Sequence, residues 1–167
     1  VVLCQSAHEA RQALAEIQQW VQGNGLELNM DKTHTGDCLQ KGQGFEFLGY
    51  RFEAGHRLVR KKSVTKVKDA IRARSGRTRS GSLQVIVAEL NAVLRGWYQY
   101  FQHAVGSVFI MLDGFVRRRL RSMLRKREKR PGAGHCQADT KRWPNVYFAQ
   151  QGLFTMSTVR RAASQSR

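Results

Sequence analysis

Apolar residues recur at helical spacing in four stretches of the chain. In the longest, Leu83, Ile86, Val87, Leu90, Leu94, Trp97, Phe101 and Ala104 fall on one face and predict a helix over 83–104. Ser82 precedes the first apolar position and predicts an N-cap, its hydroxyl accepting from a first-turn N–H. After a break at Ala104-Val-Gly-Ser107, Phe109, Leu112, Val116, Leu120, Met123 and Leu124 predict a second amphipathic helix over 109–130. A short connection predicts antiparallel neighbours that bury their stripes against each other. Val64, Val67 and Ile71 predict a third helix, with Ser63 as its cap, so this region is expected to be a three-helix unit.

Nearer the start, Ser6-Ala-His-Glu9 has the capping-box spacing, and Ala10, Leu14, Ile17 and Val21 follow on one face. Gly23-Asn24-Gly25 predicts the end of that helix. Val1–Cys4 and Leu26–Leu28 have strand character. Phe45, Phe47, Gly49 and Arg51 alternate with Glu46, Leu48, Tyr50 and Phe52, which predicts a single strand covered on both faces. Gly55-His56 is expected to turn that strand into a hairpin with 57–60. The pattern is α+β: a helix with short antiparallel strands over 1–60, a mainly helical domain over 61–134, and a tail over 135–167. Trp143, Tyr147, Phe148, Leu153 and Phe154 make that tail too apolar to be wholly free, so it is expected to pack partly on the helices. Residues 162–167 are expected to fray.

Charge changes this picture. The chain has 167 residues, 41% of them hydrophobic, and a net charge of +17. Residues 1–60 hold six Lys/Arg against seven Asp/Glu, whereas 61–167 hold 23 against five. A neutral segment followed by one of net +18 points to a polyanionic partner for the second. No apolar run is long enough to cross a bilayer, and no secretory signal pattern opens the chain. Cys4, Cys38 and Cys136 are odd in number and lack C-x-x-C spacing, so disulfides and zinc are not expected and a reducing cytoplasm is. His34, His56, His103 and His135 show no paired spacing and are read as non-ligands; no metal site is expected.

Gly25-Leu-Glu-Leu-Asn29 with Lys32-Thr33, then Phe45-Glu-Phe-Leu-Gly-Tyr50, resembles the end of the palm in group II intron reverse transcriptases. Leu90-Asn-Ala-Val-Leu-Arg-Gly-Trp-Tyr-Gln-Tyr-Phe101, with Leu112-Asp113 and Arg117-Arg-Arg-Leu-Arg121, resembles the maturase-specific domain, the thumb or domain X, of the same family. Trp143-Pro-Asn145 and Gly152-Leu-Phe154 are similar to the tail that follows it in bacterial members. The resemblance implies structured intron RNA as partner, with a template–primer duplex as a second ligand during copying. It also implies that the catalytic aspartates, and the Mg²⁺ they hold, belong to earlier palm strands that would precede Val1. This chain is accordingly expected to be a truncated palm remnant plus thumb, with no cofactor of its own and no copying activity alone.

The resemblance places Lys32 at the motif-D lysine near the leaving pyrophosphate, and Phe47, Leu48, Gly49 and Tyr50 on the primer-grip strand. The alternatives are a solvated turn lysine and a buried hairpin. In the basic half, Arg77 and Arg79 lie in a Gly/Ser-rich stretch over 72–82 that reads as a mobile linker able to touch phosphate. Arg95 and Tyr98 sit off the apolar stripe of their helix and are candidate RNA contacts. Arg117, Arg118, Arg121, Arg125, Lys126, Lys129 and Arg130 form a cationic face that a polyanion would neutralise, or else a solvated one. Asp113, alone in a basic helix, is expected to pair with an Arg. Two other functions fit less of the pattern. One is a fragment that completes a reverse transcriptase whose missing N-terminal part is supplied in trans and docks at Val1–Cys4. The other is a basic helical protein lying on anionic membrane.

Overall fold

The computed structural model describes residues 1–132, 134 and 136–165; His135 lies outside them. The chain divides into two compact units, Val1–Leu58 and Val59–Arg167.

The first unit opens with helix α1, Ala7–Gly23. Ser6 Oγ accepts from the Glu9 N–H at 3.2 Å, as the capping-box spacing predicts. The Glu9 carboxylate reaches one residue further back than in the usual box and accepts from the Gln5 N–H at 2.8 Å. Val1–Cys4 and Leu26–Leu28 are not strands. Neither has a neighbour in the sheet to supply ladder hydrogen bonds, so strand-type composition alone does not hold them extended.

The sheet has three strands in the order β1 (Phe45–Phe47), β2 (Tyr50–Glu53), β3 (His56–Val59). The single strand expected over 45–52 is therefore a hairpin. Phe45 pairs with Phe52, Glu46 with Arg51 and Phe47 with Tyr50, antiparallel. Leu48 and Gly49 form its two-residue turn, with φ of 47° and 81°. Positive φ at both central positions matches the twist of the flanking strands. Ala54 and Gly55 turn β2 into β3 in the same way, at φ of 50° and 71°. Phe45 and Phe52 stack at 5.2 Å across the first hairpin.

Glu53 fixes the end of β2. It accepts from Arg51 Nε at 2.9 Å and from the Gly42 N–H at 2.6 Å. The Arg51 hydrogen bond, followed by that of Gly42, holds its carboxyl at about 2, against an ordinary 4.5. Because the folded value is depressed, its contribution is complete above about pH 4.5 and is lost as pH falls toward about 2. Exchange protection of the hairpin amides should fall in that window, and Glu53→Gln should remove this pH step. A step of equal size in the variant would assign it to another carboxylate.

The second unit is helical: α2 (Lys61–Arg74), α3 (Leu83–Phe101), α4 (Ser107–Arg127), α5 (Gln137–Arg142), α6 (Asn145–Gln150) and α7 (Met156–Gln165). Ser82 caps α3 as expected, accepting from the Val85 N–H at 3.3 Å. Ser63 does not cap α2: the helix starts two residues earlier, and the Ser63 hydroxyl accepts from Arg60 Nε instead. The core holds Val67, Ile71, Ile86, Leu90, Leu94, Phe109, Leu112, Val116, Leu120 and Met123. Both long helices thus bury the stripes their spacing marks out.

As expected of a three-helix unit, α2 approaches both α3 and α4, and Trp97 and Tyr98 of α3 meet Phe109 of α4; α7 adds cover to both long helices and α5 to α4. The tail supplies much of the cover: Trp143, Phe148, Leu153 and Met156 are buried. Residues 162–165, expected to fray, continue α7. Trp97 is half-buried rather than enclosed, with its ring against Phe101 at 4.8 Å and Phe109 at 6.0 Å.

Candidate nucleic-acid interface

The arginines of the second unit divide into two sets. One set is spent on the protein itself. Arg119 donates through Nε to Ser75 Oγ at 3.1 Å and through Nη2 to the Ser75 carbonyl at 2.8 Å, closing the C-terminus of α2, where cations are favoured by the exposed carbonyls. Arg127 Nη2 donates to the carbonyls of Arg79 and Gly81, at 3.1 and 2.8 Å. Arg79 forms a 2.6 Å ion pair with Glu89 and also donates to the Arg74 carbonyl. Arg77 donates to the Gly132 carbonyl at 2.8 Å. The stretch over 72–82 is therefore stapled at several points instead of forming a mobile linker. Its Gly and Ser composition carries no sign of the arginines that reach it from 40–50 positions away.

Arg121 and Arg125 also belong to this set. Arg121 is 8% exposed, although its position beside Arg117 and Arg118 suggests the solvent face. It donates to the Trp143 carbonyl and to Asn145 Oδ1, both at 2.9 Å, and lies over the Phe148 ring. Burial, then the nearby Arg117, pulls its guanidinium below the ordinary value. Arg125 pairs with the fully buried Asp139 at 2.5 Å and donates to the Pro131 carbonyl. The thiol of Cys136 donates to Asp139 at 3.0 Å; this bond and that of Arg125 hold the carboxyl below its usual range. Gly134 lies against α4, where a Cβ would meet the Ser122 nitrogen at 2.6 Å. Arg121 and Arg125 thus tie the tail to α4, and both are withdrawn from the expected RNA-contacting set.

The second set is free for other partners. Among the described residues, Arg117, Lys126, Lys129 and Arg130 make no side-chain hydrogen bond or ion pair, and Arg118 only borders an aromatic ring. Arg118, Lys126 and Lys129 are exposed, and Arg117 and Arg130 half-buried. Helix α2 adds cations that the reading of the long helices passed over. Lys61, Lys62 and Lys66 line a shallow depression with Thr65 and Asp69, and Lys68 and Arg72 face α4 across Phe115. Basic residues at the start of a domain, repeated at helical spacing, were the available signal for them.

Tyr98 is half-buried and less open than expected, whereas Arg95 is exposed. Arg95 lies over Phe154 at 4.6 Å, and Tyr98 meets Phe109 and Phe154 edge-on at 5.2 and 5.8 Å. Asn91 fixes that contact, donating to the Gly152 carbonyl at 2.8 Å and accepting from the Phe154 N–H at 2.7 Å. Asp113 takes no arginine. Its carboxylate accepts from the Met156 and Ser157 N–H groups at 3.1 and 2.9 Å and so caps α7.

In the first unit, exposed Lys32 ends a 3-10 turn over Met30–Lys32, capped by Asn29. Phe47 and Leu48 are 41% and 64% exposed at the hairpin tip, with Gly49 and Tyr50 half-buried beside them. Among the described residues no three His, Cys, Asp or Glu side chains converge as a metal site requires.

Residues 64–143 match the family model of the group II intron maturase-specific domain. The match runs from within α2 through α5 and bears out the resemblance read from 90–101 and 112–121 to the maturase-specific domain. The palm-like stretch over 25–50 lies outside the matched residues. No curated protein matches the chain.

Proposed function

We propose that the helical unit is an RNA-binding maturase module that holds structured intron RNA by its backbone phosphates and assists splicing. One observation carries the reading: the structural arginines are already engaged, yet Arg117, Arg118, Lys126, Lys129 and Arg130 remain available along one helix and its end. Five cations so close repel one another unless an anion neutralises them. Their long side chains suit phosphate contacts, which position a duplex without reading its sequence. Template–primer binding fits the same surface, with Mg²⁺ chemistry left to the palm of a full-length enzyme and the cytoplasm as the working compartment. The membrane-surface alternative is weaker, because the stripes of α3 and α4 are used in the core, and no helix among the described residues is long and apolar enough to cross a bilayer.

A second reading has its own support. Val1, Val2 and Leu3 are 60–80% exposed and Trp20 is 66% exposed, so the first unit offers apolar surface that a separately supplied palm could cover. Lys32 would then stand near the reaction.

Salt titration tests the first reading. Affinity for structured RNA should fall steeply with salt, and Lys126→Gln or Lys129→Gln should each reduce the log–log slope by up to about 1 unit, equally for unrelated RNAs. Binding that ignores salt, or variants that change sequence preference at constant slope, would sink it.

A further inference from the structure

Three cations from two helices converge on one aromatic ring. Lys68 Nζ lies 5.7 Å from the centre of Phe115, the Arg72 guanidinium 5.4 Å and the Arg118 guanidinium 5.5 Å. Lys68 and Arg72 are one turn apart on α2; Arg118 follows Phe115 by three residues on α4. A ring has two faces, so at least two of the three share one. The ring quadrupole attracts each of them but does nothing to relieve their mutual repulsion.

The surroundings add positive charge. Arg119 stands beside the cluster, and burial, then Arg72 and Arg118, pull its guanidinium below the ordinary value. Asp69 is the acid at this junction; it holds Arg72 at 2.5 Å, with both partners about half exposed. An exposed i,i+3 pair of this kind is weak and easily exchanged. Four cations against one carboxylate leave an excess of three.

The spacing across the junction is also set in advance. Arg119 donates to Ser75 Oγ and to the carbonyls of Ser75 and Arg72, which ties α4 to the end of α2. Val67 and Ile71 of α2 and Val116 and Leu120 of α4 are buried beneath. The two helices thus keep their separation without a ligand, so an anion at the seam would meet cations from both at a fixed helix spacing.

We propose that Lys68, Arg72 and Arg118 form an interhelix clamp for a phosphodiester of structured RNA, with Phe115 as its floor. The proposal rests on the RNA-binding reading and extends it from one helix to a seam between two. Phe115 serves to order the cations. The clamp fixes where the RNA backbone crosses the domain: over the α2–α4 seam, with the 126–130 cations engaging phosphates further along.

The test uses the full chain, an RNA hairpin, and salt titrations of Lys68→Gln, Arg72→Gln and Arg118→Gln, singly and together. The triple variant should lower the log–log salt slope by about 2 units, while Arg72→Lys with Arg118→Lys should keep it near wild type. Arg72→Gln and Arg118→Gln should be non-additive in affinity, since they act on one phosphate from opposite helices. Phe115→Leu should weaken RNA binding severalfold at constant helical content. If the triple variant misfolds, Arg118→Gln, an exposed position, decides alone through its slope. A wild-type slope in the triple variant, with Lys126→Gln and Lys129→Gln still lowering it, overturns the clamp and leaves RNA binding standing. No salt-dependent RNA binding by the wild type overturns both. Saturation by inorganic phosphate at millimolar concentration without displacement by RNA, or clamp-dependent binding to phosphatidylserine vesicles but not to RNA, overturns the assignment to an RNA phosphodiester.

Discussion

Arg121→Ala is expected to destabilise the helical unit by about 2–4 kcal/mol and to leave the salt dependence of RNA binding unchanged. The guanidinium is buried, donates to the Trp143 carbonyl and Asn145 Oδ1, and covers Phe148. Truncation strands the carbonyl of buried Trp143, removes the bond to exposed Asn145 and opens space above an aromatic ring at once. Hydrogen bonds from a charged donor contribute about 1.5–3 kcal/mol each, and orphaned buried acceptors cost a similar amount. Arg121→Lys should recover little, because an ammonium cannot present the planar fork that meets both acceptors. Denaturant melts of the two variants, beside salt titrations on an RNA hairpin, measure both halves. A stable Arg121→Ala protein with a shallower salt slope would return this residue to the RNA-contacting face.

The sequence could not separate Arg121 from Arg117, and the reason is physical. Helical spacing tells which direction a side chain leaves the axis, but not which distant segment arrives there. Trp143 and Asn145 follow Arg121 by more than twenty positions, and no local pattern announces that their carbonyl and amide will wait for a guanidinium. Stripes made by one helix are different. Leu90, Leu94, Leu112, Val116 and Leu120 are buried as their periodicity requires, because burial of an apolar face depends little on which element covers it. Cover by α2 was legible; that α7 closes on both α3 and α4 was not.

The hairpin failed to show for a local reason. One strand would set Phe45 and Phe47 on the face opposite Tyr50 and Phe52, whereas the hairpin brings all four to one face and leaves Glu46 and Arg51 on the other. Leu is a poor choice for positive φ, and the Leu-Gly pair lacks the Asn-Gly or Asp-Gly signal that would have marked the turn. For the candidate interface, net charge located the domain and the family motif located the helices. Dividing structural from available cations needed coordinates.

For Asp113 the need for a partner was legible but the partner was not: an arginine was expected, and two backbone N–H groups take its place. Asp113 falls four residues after Phe109 and three before Val116, on the buried stripe itself, where an acid requires a dedicated partner. That partner is the N-terminus of α7, through the Met156 and Ser157 N–H groups. Asp113→Ala should therefore cost about 2–3 kcal/mol: it strands a buried N–H and removes a carboxylate from the positive end of a helix dipole. Asp113→Asn keeps one acceptor without the charge and should cost about half as much. The loss should be local before it is global. Amides of α7 should exchange far faster in Asp113→Ala, while those of α2 keep their protection, because α7 closes on α3 and α4 whereas α2 is held separately by Arg119. Asn91 still secures Phe154 in the variant, so α7 should loosen from its first turn with the 152–154 loop remaining in place. Equal protection of α7 in wild type and Asp113→Ala would mean that Met156 packing alone seats the helix and that the carboxylate is dispensable.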